Sequence, residues 1–253
     1  MKIDLKNKVA VVTGAAGGLG TAESWALAQA GATTILVDRP DNGGQELAQK
    51  ICASGNEAQF FPCDLNSLEN ARELVKNIEA SCATIDILVN NAAYILNKPM
   101  QEYSIEEFES IQRVNAHAAF ILCQSSAPLM KKAGGGSIIN LCSNTLSGGW
   151  ENFVPYVMSK GALLGLTRSL ARELGPDNIR VNAVSPGAIP TEAEARVFGE
   201  KLAEYEEFIL GRQSLKRRGT AEEIAGIILF LASEASSFIT GQNLVADGGF
   251  LMN

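Results

Sequence analysis

The feature that most restricts this chain's fold is a regular alternation of short apolar runs with longer helical stretches. Runs at 8–13 (KVAVVT), 33–37 (TTILV), 59–62, 85–89 (IDILV), 137–141 (SIINL), 179–184 and 244–246 read as strands. Stretches 21–30, 46–53, 68–81, 105–131, 156–174, 192–210 and 221–233 read as helices. Strands that are apolar on both faces and separated by helices form a parallel sheet covered on both sides. Right-handed crossovers then predict a doubly wound α/β fold: a Rossmann-like, mostly parallel sheet of about seven strands. No repeat, low-complexity segment or Pro/Ser-rich linker divides the chain. Residues 1–253 read as one domain, with 191–219 as a helical insertion on the substrate side. Ligands of such a sheet bind at the carboxyl ends of the strands, where strand order reverses. The residues just after each strand are therefore where chemistry is expected.

Composition removes several classes of function. Twenty-one Lys and Arg against 28 Asp and Glu leave a net charge of −7, a poor match for a nucleic-acid backbone. A single histidine, His117, excludes multi-His metal sites and disfavours a Ser-His-Asp hydrolase; it reads as structural or interface-forming. The five cysteines, 52, 63, 82, 123 and 142, form no CxxC pair and no zinc spacing. They read as buried small hydrophobes in a reducing compartment. The charged N-terminus is no signal peptide, and the most apolar stretch, 224–232, is far short of the roughly 20 residues that span a bilayer. The expectation is a soluble, cytoplasmic protein with no metal, nucleic-acid or membrane partner.

The first strand runs into Thr13-Gly14-Ala15-Ala16-Gly17-Gly18-Leu19-Gly20. A glycine-rich turn between strand and helix lets backbone N–H groups and the helix dipole meet a pyrophosphate. Gly14 suits the tight turn, Gly18 a close approach to the ligand, and Gly20 close helix–sheet packing. Asp38 ends the second strand, 18 residues after Gly20, where a carboxylate takes the adenosine ribose hydroxyls and repels a 2′-phosphate. This predicts NAD rather than NADP, with Arg39 able to soften the preference. Asp64 and Leu65 follow the third strand and Asn90-Asn91-Ala92-Ala93 the fourth; Asp64, Leu65, Asn91 and Ala92 are expected to line the same crevice.

Ser143 follows the fifth strand, and Tyr156 and Lys160 stand four apart on the next helix, on one face. An ammonium and a cationic nicotinamide both favour the phenolate over the phenol. With a serine after one strand and a dinucleotide turn after another, that combination predicts a catalytic pair.

Taken together these pieces resemble the short-chain dehydrogenase/reductase family. The resemblance covers essentially the whole chain: TGAAGGLG (13–20), Asp64, NNAA (90–93), Asn115, Ser143, YVMSK (156–160), SPGAIPT (185–191) and ITGQNLVADGG (239–249). It implies that Tyr156 is the acid/base, that Ser143 binds the substrate oxygen, and that Lys160 binds the nicotinamide ribose and tunes Tyr156. It also implies a relay water on Asn115, and nicotinamide contacts from Pro186, Gly187, Ile189 and Thr191. The glycine spacing differs from the TGxxGxxG of sugar-nucleotide epimerases. Ala93, Met158 and Ala118 stand where the family more often has glycine, alanine and glycine, which adds bulk but removes no functional group.

Three regions are expected around the substrate: 144–154, 192–210 and the chain terminus. Asn144, Glu151 and Asn152 offer hydrogen bonds beside the flat face of Trp150, which suits a compact hydroxylated ligand. The leading expectation is NAD-dependent oxidation of a sugar or similar polyhydroxy alcohol, with Ser143, Asn144, Trp150 and Tyr156 touching it. The alternatives are a 3-oxoacyl-thioester reductase and a non-catalytic NAD-binding scaffold. Lys216-Arg217-Arg218 reads as a solvated basic turn. Two long helices, 105–131 and 156–174, apolar on more than one face, predict a homo-oligomer, most simply a tetramer.

Overall fold

A computed structural model describes residues 3–252. Seven strands alternate with helices in the order β1 (Val9–Thr13), α1 (Gly18–Gln29), β2 (Thr33–Asp38), α2 (Gly44–Ala53), β3 (Ala58–Pro62), α3 (Leu68–Cys82) and β4 (Ile87–Asn90). There follow α4 (Ile105–Gln112), α5 (Ala118–Lys132), β5 (Gly136–Leu141), α6 (Thr145–Gly148), α7 (Val154–Leu174), β6 (Ile179–Pro186), α8 (Glu192–Phe198), α9 (Leu202–Arg212), α10 (Ala221–Ala232) and β7 (Asn243–Ala246). The sheet order is β3-β2-β1-β4-β5-β6-β7, and every pairing is parallel. Strand order reverses between β1 and β4, so the ends of these two strands frame the crevice.

Both faces of the sheet are dry. One carries Ile78, Leu122, Met130 and Ile138; the other carries Leu27, Ile51, Ile87 and Ile228. Helix α3 illustrates the packing. Leu74, Val75 and Ile78 form its buried stripe, each contributing about 1.5–3 kcal/mol. Ser67 caps its first turn through Asn70 N–H. Ser104 and Glu107 close a reciprocal cap at the start of α4, and Thr220 and Glu223 do the same for α10. Among the described residues, no helix is long and apolar enough to cross a membrane.

Three expected helices differ. The first begins at Gly18, inside the glycine-rich run, because the turn closes in four residues. The stretch read as one helix over 105–131 is interrupted by a π-turn at Arg113–His117. The stretch 192–210 breaks at Gly199, whose φ of +50° ends α8. Asn90 is the last residue of β4, and its amide donates to Asn140 Oδ1 at 2.8 Å inside the sheet.

Candidate active site

At the end of β1 the chain turns on Gly14, with φ of +63°. A side chain at Gly20 would sit 2.1 Å from Gly14 O, so α1 lies flush on the turn only because position 20 has none. Asn91 locks the same turn, donating from Nδ2 to Thr13 O and Gly14 O, while Thr13 Oγ1 accepts from the N–H groups of Asn91 and Ala92. Gly17 caps α1 with no side-chain bond, and the first turn of α1 (Gly18, Leu19, Gly20) carries no acid. Its N–H groups are left for an anion.

Asp38 is buried at the end of β2. Its Oδ2 accepts from Ala16 N–H at 2.9 Å, and its Oδ1 accepts from Arg39 N–H and Asn42 Nδ2. The carboxylate thus braces the glycine-rich turn as well as ending the strand. Asp64 is exposed and accepts from Asn66 N–H; Leu65 beside it is buried. Across the crevice, Pro186 ends β6 and Gly187 lies against the Asp247 backbone. Ile189 packs on Gly219, and Thr191 lies against Gly18. Gly18 therefore makes room for Thr191, a closeness between distant segments that the glycine pattern did not announce.

Beyond β5, Ser143 is buried, and its Oγ accepts from Thr145 N–H and Thr145 Oγ1–H. Tyr156, in the first turn of α7, meets the Ser143 side chain, and Lys160 Nζ lies 5.5 Å from the Tyr156 ring centre. Lys160 is 2% exposed and donates to Leu141 O at 2.5 Å. Burial pushes the Tyr156 phenol up to about 12; the Ser143 contact lowers it and Cys142 raises it. The expected depression is therefore absent from the cofactor-free chain. Desolvation outweighs everything else, and the Lys160 ammonium is itself pulled down to about 8 by burial. Asn115, in the π-turn, accepts from Tyr94 N–H at 2.7 Å and donates to Tyr94 O and Ser159 Oγ. Its amide joins the segment after β4 to α7.

A cavity of about 500 Å³ opens beside this cluster. Its wall is a chain of ring contacts: Phe153 to Phe198, Phe198 stacked on Tyr205 at 3.6 Å, Tyr205 to Trp150, and Trp150 to Phe208 and Phe250; Tyr156 meets this wall through Phe153. Asn97, Glu151, Asn152, Lys201 and Arg212 add polar groups, with Arg212 lying 4.6 Å from the Phe208 ring centre. Trp150 lines this cavity. Asn144 does not; it is buried and its N–H donates to Pro186 O.

The sequence model of a family described as enoyl-(acyl carrier protein) reductase matches residues 14–251. The probable galactose dehydrogenase GalD of Rhizobium meliloti is 36% identical over 249 residues, covering 97% of this chain and 96% of that one. The chain belongs to the short-chain dehydrogenase/reductase family. Another member, the 3-oxoacyl-[acyl-carrier-protein] reductase FabG of Aquifex aeolicus, is 36% identical over 98% of this chain and 99% of its own. The crystal structure of a putative NAD(P)-dependent gluconate 5-dehydrogenase from Beutenbergia cavernae, with bound NADP, superposes with a TM-score of 0.93. It shares 35% identity and covers 99% of each chain.

As a short-chain dehydrogenase/reductase, the chain is an oxidoreductase that works at CH–OH groups with a nicotinamide nucleotide. The residues present fit that group: a lean, uncapped helix start at the sheet's reversal point, with a buried carboxylate ending the next strand. Residues of all three regions expected around the substrate line the aromatic cavity, but two features went unread in the sequence. The rings of Phe153, Phe198, Tyr205, Phe208 and Phe250 come from three separated segments; only the i, i+3 pair Tyr205 and Phe208 on α9 carried a local signal. Lys216 and Arg217 are exposed, as a solvated basic turn requires, and Arg218 is the departure. Lys216 donates to Leu210 O and Gly211 O, Arg217 pairs with Glu223, and Arg218 is buried against Glu194. Folding brings acidic and carbonyl partners to each cation, which the run of charges by itself did not display.

Proposed function

We propose that this chain is an NAD-dependent dehydrogenase that oxidises a secondary alcohol of a sugar or similar small polyhydroxy compound. The observation that carries the reading is the Tyr156 phenol beside Ser143, with Lys160 beneath the ring and Phe153 of the aromatic cavity against it. Ser143 holds the substrate oxygen, and Tyr156 takes the hydroxyl proton. Lys160 keeps positive charge next to the phenolate that results. A nicotinamide nucleotide held in the crevice would supply the hydride acceptor. Gly14, Gly17, Gly18, Leu19, Gly20, Asp38, Asp64, Leu65, Asn91, Ala92, Pro186, Gly187, Ile189 and Thr191 hold the cofactor, and Asn115 orders the relay side. Ring faces beside Asn97, Glu151 and Asn152 suit stacking and hydrogen bonding of a hydroxylated ring. The galactose dehydrogenase relative supports the same class.

A second reading, reduction of a 3-oxoacyl thioester, draws support from the FabG relative. Asp38 counts against it, because it disfavours the phosphorylated cofactor. The test is a panel of sugars, polyols and secondary alcohols with NAD, read by NADH absorbance, beside a 3-oxoacyl thioester with NADPH. Turnover confined to the thioester arm overturns the first reading. Residues 191–219 serve as the substrate-side insertion. A cytoplasmic homotetramer is the assembly we expect, because Val154 and Met158 on α7 and Phe120 on α5 stand exposed. A monomer in light scattering at micromolar concentration contradicts it.

A further inference from the structure

Helix α9 divides its charges by face. Lys201, just before its first residue, is followed by Tyr205, Phe208 and Arg212 at the spacing of one helical stripe, and all four line the aromatic cavity. Glu204, Glu206 and Glu207 of the same helix are exposed and lie outside that lining. At the rise of a helix, the two cations bracket a stretch of wall about 16 Å long, with two rings between them. Glu151 is the one acid of the lining. Two cations against one carboxylate leave the cavity wall net positive, on a chain whose net charge is −7.

Among the described residues, neither cation is paired with a carboxylate. Lys201 stands three residues before Glu204, a spacing at which helical ion pairs form, yet it makes no ion pair and no side-chain hydrogen bond. Arg212 makes none either. Its guanidinium lies 4.6 Å from the Phe208 ring centre, and Phe208 is held edge-on against Trp150. The ring restrains the guanidinium and leaves its N–H donors free. Cations outside this lining are spoken for: Lys98 pairs with Glu107, Arg217 with Glu223 and Arg218 with Glu194. The side chains of Asn97, Glu151 and Asn152 on the cavity wall are likewise without a polar partner among the described residues.

A guanidinium fork takes a carboxylate or a phosphate through two parallel hydrogen bonds. We propose that the polyhydroxy substrate of this site carries an anionic group, a carboxylate or a phosphate monoester, and that the cations of the α9 stripe receive it, with Arg212 as its chief partner. The carbinol end lies at Tyr156, which meets the ring wall through Phe153; the anionic end lies along that wall towards Phe208 and Arg212. The rings between pack against the carbon skeleton, and Asn97 and Asn152 take hydroxyls. Lys201 adds positive potential that draws the anion into the cleft. This inference deepens the reading of the chain as a polyhydroxy-alcohol dehydrogenase and rests on it.

The test is oxidation with NAD by the full-length chain, read by NADH absorbance, of sugars in matched sets: a neutral aldose or polyol, the aldonate of the same skeleton, and its phosphate monoester. In the best set, kcat/KM for one anionic member should exceed that of the neutral member by at least about tenfold, the scale of a charge-assisted hydrogen bond. Added salt should erode that advantage. The leading anion, carboxylate or phosphate, assigns the source of the charge. In Arg212→Met the advantage should shrink to about threefold or less, through KM, and in Arg212→Met combined with Lys201→Met it should vanish. Arg212→Lys keeps the charge without the fork and should retain part of the advantage. A neutral member turned over as well as both anions overturns the proposal, as does an advantage that survives in the double variant. Either result leaves the dehydrogenase reading standing. If no member of any set reduces NAD, that reading fails and the proposal fails with it.

Discussion

Arg218 Nη2 lies 2.5 Å from Glu194 Oε1, with side chains only 11% and 10% exposed. The same guanidinium donates to Ala188 O and lies 5.9 Å from the Tyr205 ring centre. One cation thus joins the segment after β6 to α8 and to the cavity wall on α9. Burial already holds the Glu194 carboxyl above its ordinary range, and Arg218 is the group that opposes this. Arg218→Met strands that carboxyl and should cost about 3 kcal/mol, with a lower melting temperature and a raised substrate KM. Arg217→Met, which loses an exposed pair with Glu223, should melt close to wild type. Equal melting of the two variants would show that the buried pair contributes nothing.

Cofactor choice follows from Asp38. We expect NAD to bind at least about tenfold tighter than NADP, because a carboxylate at this strand end faces the 2′-phosphate. Asp38→Ala should narrow that ratio, and should also weaken both cofactors, since the carboxylate braces Ala16 N–H. Fluorescence titration with each nucleotide checks this. Equal wild-type affinities would point to Arg39 as the dominant group.

Tyr156 should behave differently with and without cofactor. In the free chain its phenol, buried and held at about 12, should stay protonated at pH 9, so the phenolate absorbance of wild type minus Tyr156→Phe should be flat there. With cofactor and substrate, oxidative kcat/KM should rise with pH through the apparent pKa of the Tyr156–Lys160 pair. Tyr156→Phe should lose about a hundredfold or more in turnover while still binding NAD. Retention of a tenth of wild-type turnover rejects the assigned chemistry.

Glu23, buried on α1, makes stability depend on pH in a definite direction. Burial lifts its folded value to about 8, above the ordinary 4.5, so between those limits the folded chain holds a proton that the unfolded chain has lost. The stability contributed by this group is complete below pH 4.5 and declines as pH rises towards 8. Glu23→Met removes that decline. It should melt a few degrees above wild type at pH 8, with the gap closing towards pH 5. Melts in which wild type is the more stable at pH 8 would refute this.

The strand and helix pattern was legible because burial on both faces of a parallel sheet leaves continuous apolar runs, as at Val9–Thr13 and Ile179–Pro186. Helix interruptions were less visible. The π-turn at Arg113–His117 sits in a sequence with no Gly or Pro, and it coincides with the tertiary clamp of Asn115 on Tyr94 and Ser159.

By itself the sequence determined the topology, the glycine-rich turn, the carboxylate at 38 and the Ser143, Tyr156 and Lys160 set. The topology follows from the alternation of strands and helices, and the others from residue types within or just after single elements, which a chain carries before it folds. Only the tertiary structure decided two other things: that Arg218 packs on Glu194, and that rings from Phe153 to Phe250 form one wall. Those relationships join residues tens of positions apart. Their energies depend on distance and on exclusion of water, and neither quantity exists until the layers have packed.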